Sequence, residues 1–403
     1  MKKCICAICI AAFLGGSLIT AKAEEAIQPT VVQPEVEAQG AILIDFQTGR
    51  VLWEKNADVP MAMASTTKIM TAIVAIENGN LQDTVTVSNR AAMTAPVKMH
   101  LQKGEKITLE SLLYALMLQS SNDAAVAIAE HVSGSVENFC QMMTDKAAAL
   151  GAKDTVFETP NGLDEGDHHS TAYDMALIAR YALQNEEFLR ITNTMEINVT
   201  SSRTSYYIAN RNRLLSEYAG AIGVKTGYTG KAGHCFVGAA KRDGMQLISV
   251  VLASGWGNRG KQQKWVDTKQ VLNYGFKAYD YETILEEGEP AGDILILRSK
   301  SDHIGTYFLH GLTLPLTKEE KDAVRIDIEL PAELKAPVEA NAVMGKALVY
   351  INDKLYQEVT LMSAYGAERF DLKTCMEDVL SSFLQMGTQS PVNITLPEAV
   401  FGE

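Results

Sequence analysis

A hydroxyl one helical turn before an amine can be a nucleophile beside its own base, and "ASTTKIMTA" sets Ser65 and Lys68 at that spacing. Residues i and i+3 share a helix face, so the Lys68 amine can reach the Ser65 hydroxyl. An ammonium, however, cannot accept a proton. To act as a base near pH 7, Lys68 must have its pKa lowered from about 10.4 by roughly 3 units, or about 4 kcal/mol. Burial and a second cation close by both push that way, so the chemistry demands another positive group from elsewhere in the chain. The spacing alone is weak. About one Ser-x-x-Lys match is expected by chance in a chain this long, and a capping serine next to a solvated lysine satisfies it equally well.

Two further stretches carry groups of the right kind. "LMLQSSNDAAVAIAE" leaves Ser120, Ser121 and Asn122 at the junction between two helical patterns, where the bland role of such residues is to cap the second helix. "GVKTGYTGKAGHCF" places Lys225, Thr226 and Gly227 on a predicted strand, where an edge lysine alone would be a solvated side chain.

The elements that must position these groups follow from periodicity. After an extended leader rich in Pro, Glu and Val (Glu24 to Gln39), "AILIDFQTGRVLWEK" has two apolar runs around a Gln-Thr-Gly turn, a hairpin signal. Helical patterns run from Lys68 to Asn78, Leu109 to Gln119, Ala124 to Val132, Val136 to Leu150 and Thr171 to Leu183, three of them ending at or near a glycine. Strands return at "AIGVKTGYTG", "HCFVGAAKR" and "QLISVVLAS", followed by a helix from Lys261 to Tyr279. Strands at both ends with helices between them imply an α+β fold, an antiparallel sheet covered by helices. Past "EEGEPAGD" the character changes to short alternating runs such as "ILILRS", "VRIDIEL" and "KLYQEVTLM", which predict a small all-β domain over 288–365. No repeat or low-complexity tract interrupts this division.

Taken together and in this order, Ser-x-x-Lys at 65, Ser-x-Asn at 120 and Lys-Thr-Gly at 225 resemble the signature of the serine penicillin-recognising enzymes. "QSSNDAAVAIAEHV", "TPNGLDEGDHHSTAYDMALIARYAL" and "GVKTGYTGKAGHCFVGAAKRDG" narrow the resemblance to the low-molecular-mass penicillin-binding proteins that are D-alanyl-D-alanine carboxypeptidases. It covers about Ala38 to Tyr279 and, through "VRIDIELPAELKAPVEANAVMGKALVYIN", extends into the C-terminal β-domain those enzymes carry. The resemblance implies a β-lactamase/transpeptidase-like domain over 24–283. It makes Ser65 the nucleophile that forms an acyl-enzyme with the penultimate D-Ala of a peptidoglycan stem peptide, and Lys68 its base. Ser120 would relay a proton to the leaving amine, and Asn122 would hold Lys68 and the substrate amide. Lys225 would be the required second cation and, with Thr226, would bind the substrate's terminal carboxylate. Gly227 would leave room for a substrate alongside the strand edge. The backbone N–H groups of Ser65 and Tyr228 would form the oxyanion hole. The family often has His where this chain has Tyr228, a change that keeps the backbone donor. Arg259 is a further candidate for the carboxylate, with a solvated loop arginine as the alternative. The resemblance implies no cofactor.

Other features bound the reading. Lys2 and Lys3, an uncharged run from Cys4 to Thr20, and Ala21-Lys22-Ala23 read as a secretory signal peptide over 1–23; an uncleaved membrane anchor is the alternative. Either places the folded part outside the cytoplasm. Removing Lys2, Lys3 and Lys22 takes the formal charge from −13 to −16, which disfavours nucleic acid as a partner. Cys140, Cys235 and Cys375 make neither a disulfide framework nor a metal-ligand pattern. "LDEGDHHSTAYD" clusters Asp164, Glu165, Asp167, His168 and His169, but adjacent histidines on a loop converge poorly on one ion, so no metal is expected. Over 366–387, Phe370, Cys375, Met376, Val379, Leu380, Phe383 and Leu384 recur at helical spacing, and a tail follows over 388–403. Related enzymes often end in an amphipathic helix on the membrane surface; here the polar face is acidic rather than basic, and packing on the β-domain is the alternative. Three other functions share parts of this pattern: a D,D-endopeptidase, a β-lactamase, and a non-catalytic peptidoglycan-binding or β-lactam-sensing protein. The Glu-x-x-Leu-Asn run of class A β-lactamases is absent.

Overall fold

The computed structural model describes residues 31–386. The expected cleavage after Ala23 and the tail over 388–403 lie outside the described residues. The hairpin forms as its pattern predicts: Gly40–Asp45 pairs antiparallel with Val51–Lys55, and the Thr48 N–H and hydroxyl both donate to the Asp45 carboxylate in the turn, each at 2.7 Å. The hairpin is one edge of a five-stranded antiparallel sheet whose order continues through Gly40–Asp45, Met245–Leu252, Gly233–Arg242 and Ala221–Thr229. The strand carrying Lys225 is therefore the opposite, free edge.

The near-continuous apolar runs of the inner strands are explained by burial on both faces. Side chains alternate from one face to the other along a strand. Ile42, Ile44, Val237, Ala239, Ile248 and Val250 enter a core shared with Ile69, Met70 and Ile73 of the Lys68–Asn78 helix. Leu43, Phe236, Leu247 and Val251 enter a second core with Trp265, Val271 and Leu272 of the Gly257–Ala278 helix, where Phe236 meets Trp265 edge-on at 4.7 Å. Each large apolar side chain so buried contributes about 1.5–3 kcal/mol. The helix that follows Ser65 is thereby fixed to one face of the sheet.

A second sheet of six strands follows in the order Val324–Glu329, Val343–Ile351, Lys354–Ser363, His303–Phe308, Pro290–Leu297 and Glu333–Lys335. Its last pair is parallel and the others antiparallel. Arg50, in the first hairpin, donates to the Pro315 carbonyl and to both oxygens of Glu320, which ties that hairpin to the C-terminal part of the chain. Leu372–Met386 is helical, and Leu372, Met376, Val379, Leu380, Phe383 and Leu384 are exposed rather than packed on the sheet.

Candidate active site

Residues Ala64–Thr67 form a 3-10 turn that runs into the α-helix Lys68–Asn78. Such a turn has three residues per turn and eclipses i with i+3, which brings Lys68 onto Ser65 more directly than α-helical geometry would. Lys68 Nζ lies 2.9 Å from Ser65 Oγ and 2.8 Å from Asn122 Oδ1, and it also donates to the Asn161 carbonyl. Lys68 is completely buried (0% exposed). Burial, and after it the charge of Lys225, hold its pKa well below the ordinary lysine value, against a smaller opposing pull from Asp123.

Asn122 is aimed by backbone contacts. The helix Leu109–Tyr114 widens into a π-turn over Ala115–Gln119, and Ser120 ends it in the left-handed conformation, φ 67°. Asn122 N–H donates to the Val97 carbonyl (2.7 Å) and Nδ2 to the Ala95 carbonyl (3.1 Å), so Oδ1 is the atom left facing Lys68. The loop supplying those carbonyls is held by Asp123, whose carboxylate accepts from Met99 N–H (3.1 Å) and Leu101 N–H (3.0 Å). Ser121 precedes the second helix without capping it; its hydroxyl is buried and unpartnered among the described residues. The half-buried Ser120 hydroxyl makes no hydrogen bond among the described residues.

The Asn161 carbonyl belongs to the "TPNG" turn. Gly162 has φ +80°, and a Cβ there would fall 2.0 Å from the Ala64 carbonyl oxygen. No residue but glycine lets this turn close on the Ala64–Thr67 turn. Thr71 Oγ1 fixes it further by donating to the Pro160 carbonyl (2.6 Å).

The free sheet edge completes the site. A Cβ at Gly227 would lie 3.0 Å from Ser65 N and 3.1 Å from the Met63 carbonyl, so the glycine admits the strand against the backbone at Ser65. Lys225 is buried, and its Nζ donates to the Thr226 carbonyl (3.0 Å) without a carboxylate partner among the described residues. Its pKa is pushed down to about 7, by burial first and then by Lys264 and Arg211. Tyr228 is half-exposed (49%) and stacks on His234, its cross-strand partner, with ring centroids 4.3 Å apart.

Two sequence families of known description match this chain. The D-alanyl-D-alanine carboxypeptidase family (peptidase S11) matches residues 27–255, and the C-terminal domain of penicillin-binding protein 5 matches 279–369. The chain belongs to the D-alanyl-D-alanine carboxypeptidase family. It is 33% identical over 317 residues to D-alanyl-D-alanine carboxypeptidase DacF of Bacillus subtilis (strain 168), covering 77% of this chain and 80% of that one. It is 33% identical over 345 residues to DacA of Escherichia coli (strain K12), covering 82% and 83%. The crystal structure of penicillin-binding protein 5 from Haemophilus influenzae superposes with a TM-score of 0.71 at 28% identity, over 84% of this chain and all of that one. Membership makes the chain a serine-type peptidase, and the α+β fold with its C-terminal all-β region is the one expected from the resemblance.

Arg259, read from the sequence as either a further carboxylate ligand or a solvated loop arginine, lies at the surface. Its guanidinium, 79% exposed, pairs with Glu37 at 2.5 Å. Lys264, five residues on and so about 140° further round the same helix, is buried and, with Arg211, is one of two cations that act on Lys225. Its signal was legible: a lysine on the same helical stripe as Gly260, Thr268, Val271 and Leu272. Lys264 makes no hydrogen bond or ion pair among the described residues, lies 5.0 Å from the Trp265 ring centroid, and has its pKa pushed down to about 8 by burial. A lysine whose folded pKa is below its unfolded value is held charged at a cost at pH 7, and that cost fades as pH rises from about 8 toward 10.5. Lys264→Met should therefore stabilise the fold at pH 7 by up to about 3 kcal/mol and flatten the rise in stability with pH. Chemical denaturation at pH 7 and pH 10 checks both. Of the acidic and histidine cluster, His168 faces inward: Nε2 meets Thr67 Oγ1 at 2.8 Å and Nδ1 accepts from Glu158 N–H at 3.0 Å. Burial holds its pKa at about 4, so it is neutral.

Proposed function

We propose that this chain removes the terminal D-Ala from peptidoglycan stem pentapeptides through an acyl-enzyme on Ser65. The observation that carries this reading is the set of partners of Lys68 Nζ. A neutral amine has two N–H groups and one lone pair. Asn161 O and Asn122 Oδ1 can only accept, the latter because Nδ2 is committed to Ala95. With both N–H groups so engaged, the lone pair points at the third neighbour, the Ser65 hydroxyl. Ser65 Oγ transfers its proton to Lys68 and bonds to the carbonyl carbon of the penultimate D-Ala. The oxyanion is met by the backbone N–H groups of Ser65 and Tyr228. The proton passes through the Ser120 hydroxyl to the leaving amine, the C–N bond breaks, and D-Ala departs. Water then attacks the ester with Lys68 again as base. Lys225 and Thr226 bind the terminal carboxylate, with Lys264 adding positive charge at that end. A β-lactam, which presents a carboxylate beside a strained amide, acylates the same hydroxyl.

The signal-peptide pattern over 1–23 supports a reaction outside the cytoplasm, with peptidoglycan as partner. No helix among the described residues is long and apolar enough to cross a membrane. The exposed apolar face of Leu372–Met386 supports peripheral contact with the outer face of the membrane, which flotation with phospholipid vesicles checks. Purified protein should release D-Ala from a pentapeptide and carry one penicilloyl group on Ser65 by mass spectrometry. Rapid multiple turnover of nitrocefin would instead identify a β-lactamase, and neither product nor adduct a pure binder. Product analysis on cross-linked muropeptides separates carboxypeptidase from endopeptidase action.

A further inference from the structure

The cleft is bridged on the side of Ser65 remote from Lys225. Thr229 Oγ1 donates to Asp164 Oδ1 at 3.0 Å. Thr229 lies two residues beyond Gly227, which abuts Ser65 N, and Asp164 lies three residues beyond Asn161, whose carbonyl contacts Lys68. On the proposed reading, on which this inference rests, the substrate's terminal carboxylate sits at Lys225 and Thr226 and its attacked carbonyl at Tyr228 N–H. A peptide pairing with this free edge advances about 3.3 Å per residue. The residue before the acyl D-Ala, the third of the stem, thus comes level with Thr229 and Gly230, at the bridge.

Two exposed, opposite charges flank that point. Asp164 keeps its second oxygen free of any partner among the described residues. Lys231 stands at the tip of the hairpin between Thr229 and Gly233, a tip held by Ala232 N–H donating to Thr229 Oγ1 at 3.0 Å, and it makes no ion pair among the described residues. Its charge is felt at His168, four residues after Asp164, where it adds to burial and to His169 and Lys68 in holding that ring neutral. Asp167 on the same loop is turned to His169 instead, at 3.2 Å.

We infer that Asp164 and Lys231 form a subsite for the third stem residue, reading a side chain that ends in an ammonium beside a carboxylate, as in a diamino dicarboxylic acid. Complementary charges at a wet rim favour discrimination more than affinity. The test compares kcat/KM for three peptides of the form Nα-acetyl-X-D-Ala-D-Ala, with X meso-diaminopimelate, L-Lys or Nε-acetyl-L-Lys. The expected order is that just given, each step roughly three- to fivefold, both steps shrinking as salt rises from about 0.05 to about 0.5 M. Asp164→Asn keeps an acceptor for Thr229 and should bring the Lys to acetyl-Lys ratio near unity. Lys231→Met should do the same for the diaminopimelate to Lys ratio. Glu165→Gln, on the same loop, should leave both ratios as they are; a matching shift would mean a diffuse acidic field and overturn the assignment. Hydrolysis of all three peptides without discrimination, or with ratios that survive the two substitutions, overturns the subsite alone. Hydrolysis of none by the unaltered protein overturns the carboxypeptidase reading, and the subsite with it.

Discussion

Ser65→Ala should abolish D-Ala release and the penicilloyl adduct together, a loss on the order of 10⁴-fold or more in kcat/KM. The fold should not notice, because Lys68 retains both of its other acceptors, Asn122 Oδ1 and the Asn161 carbonyl. Lys68→Met should lose activity to a similar extent for a different reason: the nucleophile remains but nothing takes its proton. Its stability is set by two opposed effects. Removing a completely buried amine is favourable, whereas Asn122 Oδ1 loses its donor, at a cost of about 1–3 kcal/mol. Because the two groups act as a unit, the double variant should be no worse than either single one. D-Ala release by purified, correctly folded Ser65→Ala protein, followed by chromatography of the free amino acid, would end the acyl-enzyme reading.

The second large effect concerns Lys225. On the proposed mechanism its loss removes a charge-assisted hydrogen bond to the substrate carboxylate and the neighbouring charge that helps keep Lys68 neutral, so Lys225→Ala should reduce acylation by about 10- to 100-fold. The pH dependence gives a sharper readout. The proposed mechanism needs Lys68 unprotonated and Lys225 protonated, and burial pushes the pKa of Lys225 down to about 7. As pH rises through that value the free enzyme loses the Lys225 proton, so kcat/KM should fall on the alkaline side. A bound carboxylate favours the charged lysine and raises its pKa, so kcat should hold to higher pH than kcat/KM. Lys225→Arg, which stays charged, should move the alkaline limb of kcat/KM upward while the acid limb, set by Lys68, stays in place. Stopped-flow acylation by a chromogenic β-lactam across pH 5–10 measures both limbs. An alkaline limb at the same pH in the arginine variant would assign it to another group.

Much of this site is legible in residue types and their spacing. Near-continuous apolar runs mark the inner strands as covered on both faces, and glycine stops mark helix ends, because local pattern and backbone freedom are properties of neighbouring residues. The demand for a second cation follows from the proton chemistry of Lys68 alone, and Lys225 meets it. Motif order joins three stretches that are each unremarkable singly.

Tertiary structure decided what depends on groups without a residue signature, or on distances between remote segments. The Asn161 carbonyl that orients Lys68 is a backbone atom, identical in every residue, and only the close approach permitted by Gly162 brings it there. Asp123 is a structural anchor for the loop behind Asn122, a role invisible from its place beside the motif. Arg259 and Lys264 lie on one helix, whose rotation against the sheet leaves the first at the surface with Glu37 and buries the second, whose charge acts on Lys225 together with that of Arg211. Residue types and spacing determined which chemistry the chain could carry. Packing of one helix, one turn and one sheet edge around Ser65 determined which charges and dipoles reach it, because electrostatic effects on a buried amine depend on distance and desolvation, and neither is written in a linear pattern.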